Sequence, residues 1–411
     1  MSKDPRKIQK VDISEFENVV TNVKPKPGKK HPQGWEPGIK WSGSKGGEIT
    51  TGPLEGEPTS GIWDNLIADW GLDPKTTKVI DGSVQVRAWD SPGPDGTIRR
   101  LKYYRASLAQ ATASTTADVE ELIKRVSKKR AVKASTDIGT ERALVVMLSD
   151  WQVGKGEGGG TPAFIERLLT AFDRLENHLK YVHKRTPLKA IYLIGMGDLI
   201  ESCSGFYAMQ TFQTDLDERE QARVVRHLLI GLVDRLVEYG LPIVLGAVPG
   251  NHGEKRNGSG KAYTNWTDNG DLEAFEIVAE VLAQNPGRYG NVTVPTGAIA
   301  SDLTLTMDIC GIPVGFAHGH QIRGAGGATK WWQGQSLGRQ SVGDAHVLVT
   351  AHKHHFSCTE ESGRFHAQCP AMDGGSYWFT ASTGKNSPSG LLTMVIGTDA
   401  GTRGWSDIQV L

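Results

Sequence analysis

Short polar motifs follow apolar runs at five places in this sequence, and they contain the residue types that bind divalent metal ions. The motifs are Asp150-Trp151-Gln152, Gly197-Asp198, Gly250-Asn251-His252, His318-Gly319-His320 and His352-Lys353-His354. Divalent first-row metals accept carboxylate, amide and imidazole ligands, and two such ions about 4 Å apart can stabilise both the attacking and the leaving oxygen of a phosphoryl transfer. Together the motifs predict a dinuclear metal site.

The elements that must position these motifs are strands, because a run rich in Val, Ile and Leu precedes each motif. The runs cover residues 143–148, 190–194, 242–248, 312–317 and 345–350. In open α/β sheets ligands bind beyond the carboxyl ends of strands, so the motifs should meet at such an edge. Helices predicted for residues 162–182 and 216–239 would connect the first three strands as two βαβ units. After residue 292 the spacing favours antiparallel strands. The predicted fold class is α/β, with two packed mixed β-sheets flanked by helices.

Three further segments are predicted before residues 141–411, which hold all five motifs. Residues 1–60 are rich in Gly, Pro and Lys and predict a disordered basic tail, with six lysines against one acid between residues 24 and 47. Such a tail either binds phosphates without reading sequence or is simply solvated. Residues 61–109 predict a small α+β adaptor module, either winged-helix-like or a plain docking module. Residues 110–140 predict a basic helical linker.

Composition limits the classes of protein that this chain can belong to. The 411 residues include 46 basic and 46 acidic side chains, so no global field draws the protein towards nucleic acid and any basic patch must be local. No run approaches the roughly 18 apolar residues of a transmembrane helix, and the first residues lack the apolar core of a signal peptide. A cytoplasmic protein with no membrane partner is therefore expected. The four cysteines match neither a zinc pair nor a disulfide framework.

The five motifs, taken in order, resemble those of the calcineurin-like metallophosphoesterases. That family has the order Asp-x-His, Gly-Asp, Gly-Asn-His-(Asp/Glu), His and Gly-His-x-His, and residues 144–355 resemble it at four of the five motifs. Gly250-Asn251-His252, with Glu254 close behind, is the most specific piece. The resemblance implies a metallophosphoesterase-like sandwich and a hydrolase with two divalent metal ions. Mn²⁺ is the expected ion, with Fe, Zn or Mg as alternatives.

The resemblance also implies a role for each residue of the motifs. Asp198 would bridge the two ions. The other ligands would divide three to each ion: Asp150, Gln152 and His354 for the first, and Asn251, His318 and His352 for the second. His252 would lie outside the metal shell, contact the phosphate and protonate the leaving oxygen, with Glu254 or Asp198 orienting its ring. A water whose pKa is lowered by a divalent ion would be the nucleophile.

One departure from the family pattern affects the first ion. Family members usually carry His where this chain has Gln152, and a neutral amide oxygen binds a divalent ion more weakly than imidazole. The first ion is therefore expected to bind more weakly than the second. His320 and His355 stand beside proposed ligands and are alternatives to them, and either would complete the first shell if both ions bound tightly. Lys155, in a glycine-rich segment, is a candidate phosphate contact.

The substrate class must be inferred from the other segments, because the family includes protein phosphatases, nucleotide phosphodiesterases and double-strand-break-repair exonucleases. The basic tail and linker favour a DNA nuclease or nucleotide phosphodiesterase, with DNA or a nucleotide as substrate. The chain also resembles tailed-phage phosphoesterases similar to the repair exonucleases, which would place it in a host cytoplasm. The alternatives are a protein or small-molecule phosphatase, or a catalytically weak metal-binding adaptor in phage replication or packaging, with a protein partner on the N-terminal module.

Overall fold

The computed structural model describes two compact units, Met1–Thr112 and Ala113–Leu411. It describes residues 35–411 apart from 42–46, 55–57, 70–73, 75–76, 81, 93–96, 111–114, 137–138, 204–209, 211–212, 257–263, 324–326, 377–379, 382–383 and 385. The predictions for residues 1–34 lie outside the described residues. Within the described part of the chain, no helix is both long enough and apolar enough to cross a membrane.

The first unit contains an antiparallel sheet and one helix among its described residues. The strands are β1 (Gly38–Trp41), β2 (Gly47–Thr50), β3 (Thr77–Val79), β4 (Gln85–Pro92) and β5 (Ile98–Gln110). They run in the order β1, β2, β5, β3, and β4 also pairs with β5. Helix α1 (Ser60–Asp69) packs Trp63 and Ile67 against Ile49 and Tyr104. Strands β1 and β2 lie within residues 1–60, so a disordered tail is wrong for these eight residues, where burial of Ile49 orders the backbone.

The second unit contains two mixed sheets. Its strands are β6 (Ala143–Leu148), β7 (Ala190–Gly195), β8 (Ile243–Ala247), β9 (Val292–Thr293), β10 (Thr304–Ile309), β11 (Ile312–Ala317), β12 (Val347–Thr350), β13 (Ser357–Glu361), β14 (Arg364–Gln368), β15 (Leu392–Ile396) and β16 (Trp405–Val410). The first sheet has the order β16, β15, β6, β7, β8, β9, with β6 to β9 parallel. The second has the order β10, β11, β12, β14, β13, with β11, β12 and β14 parallel. The α/β fold class is confirmed.

The helices of the second unit are α2 (Thr115–Ser127), α3 (Gly160–Arg185), α4 (Glu218–Leu236), α5 (Gly270–Leu282), α6 (Pro286–Tyr289) and α7 (Gly327–Leu337). Helices α3 and α4 connect β6 to β7 and β7 to β8, which agrees with the two predicted βαβ units. Helix α4 begins after Asp217, whose side chain accepts from the Glu220 backbone N–H while the Glu220 side chain accepts from that of Asp217. This reciprocal cap satisfies two N–H groups that the helix itself leaves unpaired.

Two hydrophobic clusters hold the second unit together. The larger lies between the first sheet and helices α2 to α5. The smaller contains residues of both sheets, such as Val145 and Met147 of β6 with Phe316 of β11 and Val349 of β12. Val145 and Met147 alternate with Leu144 and Val146, which belong to the larger cluster, because successive side chains of a strand point to opposite faces. Strand β6, which precedes the first motif, is therefore buried on both faces.

Helix α2 lies within the segment 110–140, and it packs into the second unit rather than serving as a basic linker. Leu122 and Val126 are fully buried in the larger cluster. Asp118, 3% exposed, contacts the guanidinium of Arg226 and lies 2.9 Å from Arg223 Nε. Of the basic residues that suggested a linker, Lys124 and Arg125 lie in the last turn of this helix, and the others follow its end at Ser127.

Candidate metal centre

The five motifs meet beyond the carboxyl ends of β6, β7, β8, β11 and β12. The Asp150 N–H donates to Gly197 O at 3.1 Å, and the Gln152 N–H donates to Asp198 O at 2.9 Å. The His352 N–H donates to Asp150 Oδ2 at 3.2 Å, which joins the two sheets at this edge. Left-handed φ angles of 43° to 69° occur at five motif residues: Asp150, Gln152, Asp198, His352 and His354. Such angles are uncommon outside glycine and cluster at ligand sites, where surrounding structure holds them.

Close approach of two loops explains the glycines of the Gly-Asp and Gly-Asn-His motifs. A Cβ on Gly250 would lie 2.1 Å from Asp198 N, and a Cβ on Gly197, where φ is +87°, would lie 2.6 Å from Gly250 Cα. The buried carboxylate of Asp271 ties these loops together, because it accepts from Asp198 N at 2.9 Å, Leu199 N at 2.8 Å and Gly250 N at 3.1 Å. Burial and the nearby charge of Asp198 raise the pKa of Asp271 to about 6. Sequence reasoning missed Asp271.

The ligands predicted for the second ion converge with Asp198. Three residues each direct a ligand atom to one place: the ligand atoms of Asp198, His318 and His352 all lie within 4.8 Å of one another. Among the described residues, this is the group of His, Cys, Asp or Glu side chains close enough together to hold a metal ion. His318 Nε2 lies 3.0 Å from Asp198 Oδ2 and 3.1 Å from Asn251 Oδ1. We refer to Asp198, Asn251, His318 and His352 as the second ligand set.

The chemistry of the second ligand set fits a divalent ion. His318 Nδ1 lies 2.8 Å from the Met196 carbonyl, so Nδ1 carries a proton and Nε2 faces the ligand oxygens, the usual arrangement of a metal-binding histidine. Burial would raise the pKa of Asp198, but His318 and His252 hold it well below its usual range. Burial and the neighbouring His318 lower the pKa of His352 to about 3, which leaves a neutral imidazole able to bind metal.

The other ligands predicted for the first ion make different contacts. His354 Nε2 lies 3.2 Å from Asp150 Oδ1, and His354 Nδ1 lies 3.6 Å from Asp373 Oδ1. Burial lowers the pKa of His354, but Asp150 and Asp373 together raise it to about 10. Asp373, 5% exposed, also accepts from Lys155. We refer to Asp150, Gln152 and His354 as the first ligand set.

A lysine contacts one member of the first ligand set and the aspartate that lies beside another member. Lys155 Nζ donates to Gln152 Oε1 at 3.1 Å and forms a short ion pair with Asp373. The Gln152 oxygen, which the sequence predicts as a metal ligand, is therefore directed at an ammonium group. The first ligand set does not fit a divalent ion in the way that the second does. Sequence reasoning considered Lys155 only as a phosphate contact and missed Asp373.

His252 lies beside both ligand sets and outside them. Its backbone N–H donates to Asp198 Oδ1 at 2.7 Å, and its Nε2 lies 3.5 Å from Gln152 Nε2. Its Nδ1 lies 3.0 Å from the Glu201 carbonyl and 3.3 Å from Glu201 Oε2. Burial would lower the pKa of His252, but Asp198 and Glu201 raise it to about 9, so the ring is protonated at neutral pH.

The carboxylate that contacts the His252 ring is Glu201, which sequence reasoning missed, rather than the predicted Glu254. Glu254 instead pairs with Arg256, with 2.5 Å between Oε2 and Nη2. The Glu254 backbone forms an isolated antiparallel β-bridge with Asn269, the residue that caps the N-terminus of helix α5. Asp198, the other candidate for orienting His252, contacts its backbone N–H rather than its ring.

Neither alternative histidine lies at the first ligand set. The ring of His320 lies 5.6 Å from that of His318 and 6.3 Å from that of His352, measured between centroids, which is beside the second set. His355 is exposed, and its Nε2 lies 3.1 Å from Gln368 Nε2. The alternative in which His320 or His355 completes the first shell therefore has no support from their positions.

A cavity of about 630 Å³ opens next to the second ligand set. Its lining includes ligands and basic side chains, among them Asn251, His352, His320, Arg256, Arg323 and Lys353. Arg323 and Lys353 are exposed at its rim. Three cationic side chains around a cavity of this kind favour an anionic ligand.

No family model and no curated protein matches this chain. Among solved structures, a single mutant of Vps29 from Entamoeba histolytica is 13% identical, with a TM-score of 0.31, and covers 65% of this chain and 99% of its own. Vacuolar protein sorting 29 from Cryptosporidium parvum is 15% identical, with a TM-score of 0.30 and coverages of 64% and 87%. A novel archaeal phosphodiesterase is 11% identical, with a TM-score of 0.27 and coverages of 65% and 99%. Likenesses this weak carry no argument about family or activity.

Proposed function

We propose that this protein is a metal-dependent phosphoesterase of the calcineurin-like class that hydrolyses phosphodiesters. The observation that carries the proposal is the convergence of Asp198, Asn251, His318 and His352 beside a protonated His252. A bound divalent ion would supply Lewis acidity and lower the pKa of a coordinated water. The two sheets that share a hydrophobic cluster would form the sandwich of that class.

In this proposal the chain's own residues bind the phosphate and move one proton. Arg256, Arg323 and Lys353 would hold the substrate anion in the adjacent cavity. His252 Nδ1 is engaged by Glu201, so Nε2 is the atom that would give its proton to the leaving oxygen. The raised pKa of His252 keeps that proton in place at neutral pH.

Within this class, we propose DNA or a nucleotide as the substrate and Mn²⁺ as the ion. The basic cavity supports an anionic substrate. The six lysines between residues 24 and 47 would add a salt-dependent contribution to the affinity for a nucleic-acid backbone. A protein partner on the N-terminal unit belongs to the same proposal, with exposed Val86 and Ile98 as contact residues. The competing reading is a catalytically weak metal-binding adaptor, which would bind the ion without turnover.

The test is hydrolysis of bis-nitrophenyl phosphate and of DNA by the full chain, with and without added Mn²⁺. We expect turnover only with the ion, and Asp198→Ala should reduce it to the uncatalysed background because the ion loses its central carboxylate. Asp173→Ala is a matched control, since this aspartate is an exposed residue of helix α3 whose partner is the surface residue Arg235. Equal rates of hydrolysis with and without a chelator would overturn the proposal. Ion binding without turnover would favour the adaptor.

A further inference from the structure

The first ligand set already contains a cation that belongs to the protein. Lys155 Nζ is held between Gln152 Oε1, at 3.1 Å, and the carboxylate of Asp373. Asp373 Oδ1 lies 3.6 Å from His354 Nδ1, and His354 Nε2 lies 3.2 Å from Asp150 Oδ1. The ammonium group is therefore linked to Gln152 by one contact, to His354 by two contacts and to Asp150 by three.

The segment that carries Lys155 is fixed on both sides, so the ammonium group is not a free surface charge. The Lys155 side chain is 13% exposed. Its backbone N–H donates to Gln152 O at 3.0 Å, and the next N–H, of Gly156, donates to Gln213 O at 2.7 Å. Arg167 then joins this segment to the Asp373 segment, because it donates to Gly158 O at 3.2 Å and to Met372 O at 3.5 Å.

The amide of Gln152 suits an ammonium neighbour. An amide oxygen accepts a hydrogen bond from lysine, whereas an imidazole in its place would offer a single lone pair suited to a metal. Asp373 adds the negative charge that a nearly buried lysine requires. A divalent ion placed among the same atoms would have to displace the ammonium group or lie beside a like charge, and both are unfavourable.

We propose that the ammonium group of Lys155 takes the place of the first metal ion, so that this centre binds one divalent ion, at the second ligand set. The inference rests on the metal centre of the proposed function but not on its chemistry. The weakly bound first ion expected from the sequence is thereby replaced by a residue of the chain.

The number of ions bound per chain tests the inference without any use of turnover. The full chain is stripped with a chelator and titrated with Mn²⁺ by calorimetry, and the metal content of the loaded protein is measured by mass spectrometry after gel filtration. We expect one ion per chain. Two ions per chain, or none, would overturn the inference. One bound ion per chain without any hydrolysis would contradict the proposed function and would still agree with the inference.

A designed variant sharpens the test. Removing the ammonium group and restoring imidazole, in the double variant Lys155→Met and Gln152→His, should raise the stoichiometry from one ion to two. Lys184→Met, which removes an exposed lysine of helix α3, is the matched control and should stay at one. A double variant that keeps the native circular dichroism but still binds one ion would count against the inference. If that variant fails to fold, the stoichiometry of the unmodified chain still decides.

Discussion

The two ligand sets at the metal centre contain similar residue types but satisfy their charges differently. In the second set the ligand atoms point at one another, with Asp198 Oδ2 3.0 Å and Asn251 Oδ1 3.1 Å from the same His318 nitrogen. In the first set the corresponding oxygen, from Gln152, is directed at Lys155. The oxygens of the second set share one His318 nitrogen, whereas the Gln152 oxygen of the first set has the ammonium group of Lys155 as its partner. If the inference above holds, similar motifs prepare one site for a metal and its neighbour for a lysine.

The largest expected difference between the two sets is in metal affinity. His318→Ala should weaken Mn²⁺ binding by more than about 100-fold. Removal of a residue that only supports a metal ligand lowers the metal affinity by up to about 100-fold, and removal of the ligand itself should lower it further. His354→Ala should leave the affinity nearly unchanged, because His354 contacts Asp150 and Asp373 rather than the second set. Calorimetric titration of both variants with Mn²⁺ measures the difference.

His355→Ala is a matched control for these two variants, since this histidine is exposed and lies close in sequence to His354. Equal losses of affinity in His318→Ala and His354→Ala would mean that both sets hold ions and that Lys155 does not occupy the first. A loss confined to His354→Ala would reverse the assignment of the two sets.

The next largest effect separates proton transfer from metal binding. His252→Ala should lower kcat by about 100-fold or more, the usual contribution of a general acid, and should leave Mn²⁺ affinity intact. The reason is that His252 Nδ1 contacts Glu201 and its ring lies outside both ligand sets. Metal content by mass spectrometry and steady-state rates on one diester give both readouts. Loss of the ion in this variant would make His252 a ligand and contradict the geometry.

Sequence patterns predicted the parts of this centre that are local in the chain. Strands β6, β7, β8, β11 and β12 precede the motifs as expected, because runs of Val, Ile and Leu buried on both faces leave a strong signal. The convergence of Asp198, Asn251, His318 and His352 followed from that placement. The glycines at 197 and 250 belong to the motifs and are visible in the sequence, but the reason for them is a contact between two distant motifs and is not local in the chain.

The supporting residues could not be found in this way, because their roles depend on contacts across the fold. Asp373 lies 218 residues from Lys155 in the chain, and Asp271 lies 73 residues from Asp198. Asp271 lies in the first turn of helix α5, where an acidic residue is favoured by the helix dipole alone. Its hydrogen bonds to the metal-centre loops therefore cannot be recognised from the sequence. Glu201 lies only three residues beyond Asp198, but the resemblance to the family points to Glu254 or Asp198 for this role.

The smallest expected effect concerns the carboxylate beside His252. Glu201→Gln should lower kcat by about 10-fold, a fraction of the general-acid contribution, because the carbonyl of the same residue still holds Nδ1 at 3.0 Å. The substitution removes one of the charges that raise the pKa of His252 to about 9. Activity needs protonated His252 and falls as pH rises through that pKa, so the alkaline limb of the pH profile should move to lower pH.

Two matched variants isolate this effect from a general loss of structure. Glu254→Gln, which disturbs the pair with Arg256 at the cavity, should change KM for the diester and leave the alkaline limb where it was. Glu276→Gln, on the exposed face of helix α5, should change neither. An alkaline limb that moves in Glu254→Gln but not in Glu201→Gln would return the orienting role to Glu254, as the sequence motif suggested. An unmoved limb in both variants would mean that His252 is not the group whose ionisation limits the reaction.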